Sequence, residues 1–172
     1  MRTNKMLCSR SNGAILMAAW QFKVCLIPKV WVESNDDPIP LLYSEEESYD
    51  TSCAWVGIIA RNAQEIIGKH FSLSKSWHED LVSFGQEKET DVQVWYEGEA
   101  LEDIQVRIDM RSKFLPLLET VVSISKALSC VIFIPAQQKI IPADTLELLR
   151  IAKASSAYAF ANDPEKWLNE LK

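Results

Sequence analysis

Histidine is almost absent from the chain, and neither of its two copies has a metal ligand at a useful spacing. His70 stands alone. His78 is followed by Glu79 and Asp80, but adjacent residues on a helix point in different directions, so this triplet reads as solvated surface, and no metal or other cofactor is expected. The four cysteines, Cys8, Cys25, Cys53 and Cys130, form no C-x-x-C pair. Cys25, Cys53 and Cys130 lie in apolar, strand-like runs and read as reduced core thiols of a cytoplasmic protein rather than as nucleophiles or disulfide partners. G-x-S-x-G, P-loop and G-x-G-x-x-G sequences are missing, which removes the usual markers of a hydrolase elbow and of a phosphate cradle. No apolar stretch approaches the roughly 20 residues that span a bilayer. Positive charge is in deficit, with 18 Lys and Arg against 24 Asp and Glu, so a polyanion meets repulsion and nucleic acid is not an expected partner.

The deficit is local. From Glu33 to Asp50 the chain carries Glu33, Asp36, Asp37, Glu45, Glu46, Glu47 and Asp50 without one Lys or Arg. Such a stretch reads as an exposed acidic loop whose electrostatic partner is basic.

What is present is the profile of a folded globular chain: 172 residues, 48% of them hydrophobic and 24% charged. Residues 1–16 read as a disordered leader, with Met17 as an alternative start, and residues 17–172 as one domain. Arg2, Lys5 and Arg10 before Ala14 to Trp20 loosely imitate a signal peptide, but the apolar run is short and no cleavage site follows.

Trp20, Phe22, Val24 and Leu26 alternate with polar neighbours or cysteine as a half-buried strand does, Pro28 interrupts them, and Val30 to Val32 reads as an edge continuation. Cys53 to Ala60, apolar except at Gly57, predicts a buried strand. Asn62 with Glu65, and Ser76 with Glu79, imitate capping boxes and predict two helices, the second carrying Trp77, Leu81 and Phe84 and stopping at Gly85. Between Asp91 and Met110 two alternating runs flank a Gly-containing turn, the pattern of a β-hairpin. Pairing Val94 with Ile104 also sets Val92 against Val106, Gln93 against Gln105 and Asp91 against Arg107, so apolar meets apolar and opposite charges meet. Phe114 to Leu128 has helical spacing, Cys130 to Ile134 is apolar on both faces like an interior strand, and Ile140-Ile141 reads as its return. Asp144 or Thr145 caps a helix that runs to Asn162, and Asp163-Pro164 opens a last one. A hairpin followed by grouped helices predicts an α+β fold: a mainly antiparallel sheet of about five or six strands with helices packed on one face.

Two features suit partner binding. One is the acidic loop, with Glu45, Glu46, Glu47 and Asp50 at its centre. The other is the hairpin face opposite Ile104, Val106 and Ile108, where Trp95, Arg107 and Asp109 are expected to stand beside Gln93 and Gln105, exposed on a rigid sheet. The order of segments gives the chain a resemblance as well: Ser76-Trp77, Val94-Trp95-Tyr96 to Arg107-Ile108-Asp109-Met110-Arg111, the strand at Cys130, Ile141-Pro142, and Phe160-Ala161-Asn162-Asp163-Pro164 before a terminal helix. Over most of residues 55–171 this resembles small bacterial proteins of the immunity type, the inhibitors encoded beside secreted toxins. The resemblance carries over no functional residue. It implies a cytoplasmic protein-binding module, an inhibitor of a basic partner protein. The competing expectation is a small enzyme acting on a charged small molecule in a cleft beside the sheet, through Arg107, Asp109 and nearby acids. The third is a homo-oligomer whose partner is its own copy.

Overall fold

A computed structural model of the chain describes residues 18–44 and 48–170. The leader expected over residues 1–16, with Cys8, and the acids Glu45, Glu46 and Glu47 lie outside the described residues. Seven antiparallel strands form one sheet: β1 (Gln21–Pro28), β2 (Leu73–Ser74), β3 (Leu81–Gly85), β4 (Asp91–Glu97), β5 (Ala100–Asp109), β6 (Cys130–Ile134) and β7 (Lys139–Ile141), in the order β2-β3-β4-β5-β1-β6-β7. The fold is α+β, with slightly more strands than expected.

The β4–β5 hairpin has the register argued from sequence. Val94 lies opposite Ile104, Val92 opposite Val106, Gln93 opposite Gln105 and Asp91 opposite Arg107, with an irregularity between Trp95 and Tyr96 near the tip. That register turns Val92, Val94, Ile104, Val106 and Ile108 to one side, where they join Phe22, Val24 and Leu26 of β1 in the main core. A shift of one residue would carry the whole apolar set to the other face.

The longer helices cover this apolar face. Helix α5 (Leu115–Ala127) takes Pro116 in its first turn, where a missing N–H is harmless, and buries Leu118, Val121, Val122 and Ile124. Each such side chain contributes roughly 1.5–3 kcal/mol by leaving water. The Ser125 hydroxyl donates to the Cys130 carbonyl at 2.9 Å and ties the helix to β6, whose five residues are all buried. Helix α6 (Thr145–Lys153) is capped by Asp144, which accepts the Glu147 N–H at 2.8 Å. The single helix expected from Asp144 to Asn162 is two, because Ser155 accepts the Tyr158 N–H and starts α7 (Ser156–Asn162) afresh. Asp163 then accepts from Lys166 and opens α8 (Pro164–Glu170).

Five expectations fail, where the surrounding structure overrides a local signal. Val30 to Val32 is no strand: Pro28 closes β1, and the chain turns at once into α1 (Lys29–Glu33). The supposed irregular loop holds another single turn, α2 (Pro38–Leu41), and a bridge between Tyr43 and Tyr49. Cys53 to Ala60 is a turn of helix, α3 (Ser52–Trp55), and then an exposed bend at Val56 and Ile59. Ala54 faces one core and Trp55 the other, so the segment passes between layers instead of lying in the sheet. Asn62 precedes α4 (Ala63–Gly68) without bonding to it through its side chain. Residues 76–84 form no helix: Val82 and Phe84 pair with Val94 and Val92, and the Ser76 hydroxyl accepts the Ser83 N–H from β3.

Helices α1 to α3 lie on the face opposite the long helices. There Leu42 and Ala54 pack with Cys25, Ile27, Val131 and Phe133 in a second, smaller core. Tyr43 and Tyr49 meet Phe133 edge-on, with centroids at 6.1 and 5.9 Å.

Gly85 closes β3 at φ +79°, and a Cβ there would run into the Thr90 carbonyl oxygen, whereas Gly57, at φ +76°, has open space around it. Gly85→Ala is therefore expected to destabilise by about 2–4 kcal/mol and Gly57→Ala by about 1 kcal/mol in urea unfolding. Equal losses would show that the crowding at Gly85 is not what sets its cost.

Candidate functional site

The second face of the sheet is built from rows that run across the strands. One row is Lys23, Arg107 and Asp91, another Cys25, Gln105, Gln93 and Ser83, a third Asp103, Trp95 and Leu81. Arg107 donates from Nε to Asp91 Oδ1 at 2.7 Å and from Nη2 to Asp91 Oδ2, a bidentate pair. Gln105 donates to Gln93 at 3.1 Å.

This face is not the solvated surface the alternation suggests. Arg107 and Asp91 are each 3% exposed, Gln93 2% and Asp109 5%. The reason is the segment that replaces the expected helix: Lys75 and Trp77, with Glu87 from the β3–β4 loop, close over Asp91 and Gln93 and leave a crevice of about 30 Å³, room for one water molecule. Burial pushes the Asp91 carboxyl above its usual range, and the hydrogen bonds and charge of Arg107 pull part of that back. Arg107 is thus a structural cation and is withdrawn from the set of exposed partner-binding residues.

Asp109 is withdrawn for a related reason. Its carboxylate accepts from Arg111 Nε at 3.0 Å, Arg111 Nη2 at 2.8 Å and the Arg111 backbone N–H at 2.9 Å. Burial alone would raise this carboxyl; the three bonds and the charge of Arg111 outweigh it and hold the group below its usual range. An acid held ionised by its own neighbour is poorly suited to proton transfer. Asp109 and Arg111 do border an open cleft of about 530 Å³ at the hairpin root.

Trp95, in contrast, reaches the surface. Its ring lies 5.3 Å from Trp77 at 68° and 5.6 Å from His78, so three rings form one cluster. Trp77 is 55% exposed. Sequence reasoning places Trp77 on a helix and therefore misses its approach to Trp95; only the pairing of β3 with β4 brings the two together.

The structure also joins two acidic tracts that lie far apart in sequence. Asp103, directly across from Trp95, accepts the Thr51 hydroxyl at 2.6 Å, which seats Asp50 beside the hairpin tip that bears Glu97, Glu99 and Glu102. From Asp91 to Gln105 the chain has no Lys or Arg. Burial pushes the Asp103 carboxyl up to about 6, with Thr51 and Lys23 opposing the rise and Asp50 adding to it. Lys23 donates to the Tyr49 hydroxyl at 3.0 Å, so part of its capacity is already engaged. At the other end of the acidic segment Glu33 is paired with Lys29 at 3.4 Å, an exposed i,i+4 contact that contributes little.

The three thiols among the described residues are not poised for chemistry. Burial raises Cys25, Asp103 adds to that, and burial pushes Cys130 up to about 12. Cys53, expected in a strand core, is exposed on α3, and burial of its sulfur followed by the charge of Asp50 raises it too. Among the described residues no three His, Cys, Asp or Glu are grouped to hold a metal ion, and no helix is long and apolar enough to cross a membrane. Compared with protein-family models, with curated proteins and with solved structures, the chain has no match.

Two outcomes are expected. Asp91→Asn or Arg107→Met alone leaves a buried charge or donor without its partner and should cost about 3–5 kcal/mol. The double variant should cost clearly less than the sum, and additive losses would show that the two side chains do not act as a pair. For Asp103, the native carboxyl keeps its proton to about pH 6 while an unfolded one releases it near pH 4, so stability falls as pH rises through that window. Asp103→Asn should therefore be more stable than wild type by on the order of 1–2 kcal/mol at pH 7.5 and no more stable below about pH 4, measured by urea unfolding. A stability difference independent of pH would contradict this.

Proposed function

We propose that this chain is a protein-binding module that docks a basic partner on the acidic, aromatic end of its sheet, in the specific form of an immunity-type inhibitor. The observation that carries the proposal is the half-exposed Trp77 standing edge-on to Trp95, which lies across from Asp103 with Asp50 near it and with Glu97 and Glu99 on the same hairpin tip. Aromatic rings on a rigid sheet bury large area at small entropic cost, and an incoming Lys or Arg gains both a π face and several carboxylates. Asp50 already disfavours the charged form of Asp103, and a cation arriving there relieves that repulsion. Glu45, Glu46 and Glu47 adjoin Asp50 in sequence and add charge to the same tract. Weighing against the enzyme reading, Arg107 is sealed against Asp91, and Asp109 is held ionised by Arg111.

Charge acts chiefly on association and the tryptophans on dissociation. With a partner co-purified from the source cells, or the product of a neighbouring toxin-like gene, the variant Glu97→Gln/Glu99→Gln/Glu102→Gln should associate about tenfold more slowly at low salt. Glu45→Gln/Glu46→Gln/Glu47→Gln should act in the same direction. Trp77→Phe, which keeps a ring over Asp91 and Gln93, should mainly speed dissociation, and thermal unfolding should barely change in any of the three. Association rates equal to wild type at low salt, or a rate indifferent to salt, would sink the proposal.

A further inference from the structure

The open cleft lies at the root of the β4–β5 hairpin, the end away from Trp95 and Asp103, and its walls differ in kind. Phe71 and Leu117 form an apolar side, Thr90 and the buried Asp109 a polar floor, and Arg111 and Glu89 bring opposite charges to the rim. At about 530 Å³ it falls within the range of small-molecule sites.

The floor is built rather than incidental. The Thr90 hydroxyl oxygen accepts the Asp109 N–H at 3.0 Å, and the Ser112 hydroxyl donates to the Asp109 carbonyl at 3.1 Å. Arg111 is fixed on two sides: Asp109 takes its Nε and Nη2, and its guanidinium lies over the Trp20 ring at 4.0 Å from the centroid. Trp20 is itself anchored by its indole N–H to the Lys88 carbonyl at 3.3 Å and by Phe160 at 6.2 Å. A cation held this way loses little freedom on binding, and the Asp109 pair occupies only the Nε–Nη2 edge of its fork. The Thr90 hydroxyl, which accepts in this network, still has its own proton to donate.

We propose that this cleft binds a small zwitterion with an apolar side chain, an α-amino acid or a dipeptide that presents both its termini. The carboxylate meets the Nη1 edge of Arg111 and the Thr90 hydroxyl, the ammonium meets Glu89, and the side chain lies on Phe71 and Leu117. A simple anion meets Glu89 and Asp109, and a simple cation meets Arg111; a dipolar ligand satisfies both rim charges at once. The site shares no residue with the docking end and stands or falls separately from it.

The probes are phenylalanine, 3-phenylpropionate, phenethylamine and the dipeptide Phe-Gly, titrated into the full chain and followed by amide chemical shifts. Phenylalanine should shift the amides of Thr90, Arg111 and Ser112 and leave those of Trp77 and Trp95 in place. Loss of either charge from the probe should weaken binding at least about tenfold, and Glu89→Gln should reproduce the effect of removing the ammonium. Because Glu89 is exposed, that variant is expected to fold, and its thermal unfolding provides the check. Tighter binding of Phe-Gly than of phenylalanine assigns the site to a dipeptide, with its two charges set farther apart, and the reverse to a free amino acid. No shift at the cleft with about 10 mM phenylalanine, or singly charged probes that bind as well as it does, would overturn the proposal.

Discussion

Placing Asp91 and Arg107 opposite one another in the two strands of the β4–β5 hairpin commits the rest of the protein to covering them. Two charges taken out of water repay their desolvation only through close geometry and further hydrogen bonds, and this pair has a bidentate contact and a third donor, Gln93 Nε2, at 3.5 Å from Asp91 Oδ2. The pair also acts on register. A hairpin slipped by one residue would part the two charges and turn the apolar set of β4 and β5 toward them, so ionic and hydrophobic terms favour the same alignment. The segment around Ser76 and Trp77 then has a reason to lie flat across β3 rather than coil into a helix. In that position it seals the pair from solvent, and it brings Trp77 to Trp95.

The two faces of the sheet differ because β1 is central. Flanked by β5 and β6, it must satisfy both sides, so Phe22, Val24 and Leu26 enter the large core while Cys25 and Ile27 enter the small one. Long helices suit the first, where the apolar area is broad. Single turns of helix suit the second, which is apolar only near β1 and β6 and becomes polar toward β4. That gradient leaves one part of the second face to be closed by ion pairs, side-chain amides and a loop.

Where sequence and structure agree, the local pattern and the long-range partner make the same demand. The hairpin is legible because its charges and its apolar residues pair in one register; β6 because five consecutive apolar residues need burial on both faces; α6 because Asp144 supplies a cap to a periodic stretch. Disagreement arises where a local signal competes with a partner the sequence does not show. Ser76 three residues before Glu79 imitates a capping box, yet the alternation of Leu81 and Ser83 with Val82 and Phe84 is the stronger signal once β4 offers a pairing edge. Cys53 to Ala60 resembles a strand by composition, but Ala54 and Trp55 face different cores. At the candidate site, Trp95 is legible as a surface aromatic, while Trp77 and the meeting of Asp50 with Asp103 depend on contacts between distant segments. Arg107 and Asp109 mislead for the same reason: strand alternation assigns a residue to a face and is silent about what covers that face.

The charges along the hairpin are handled in opposite ways at its two ends. At the root, Asp91 is matched by Arg107 and Asp109 by Arg111, each within hydrogen-bonding distance, so the acids there are spent on holding strands and loop together. At the tip, Glu97 and Glu99 are exposed, Asp103 has a hydroxyl as its nearest partner, and Asp50 is brought closer by the very bond that anchors Thr51. Burial is the main cause of the raised Asp103 carboxyl and Asp50 adds to it, so keeping Asp103 ionised at neutral pH costs the fold some stability. In the docking role proposed above, an arriving cation would recover part of that loss beside the exposed Trp77 and the half-buried Trp95.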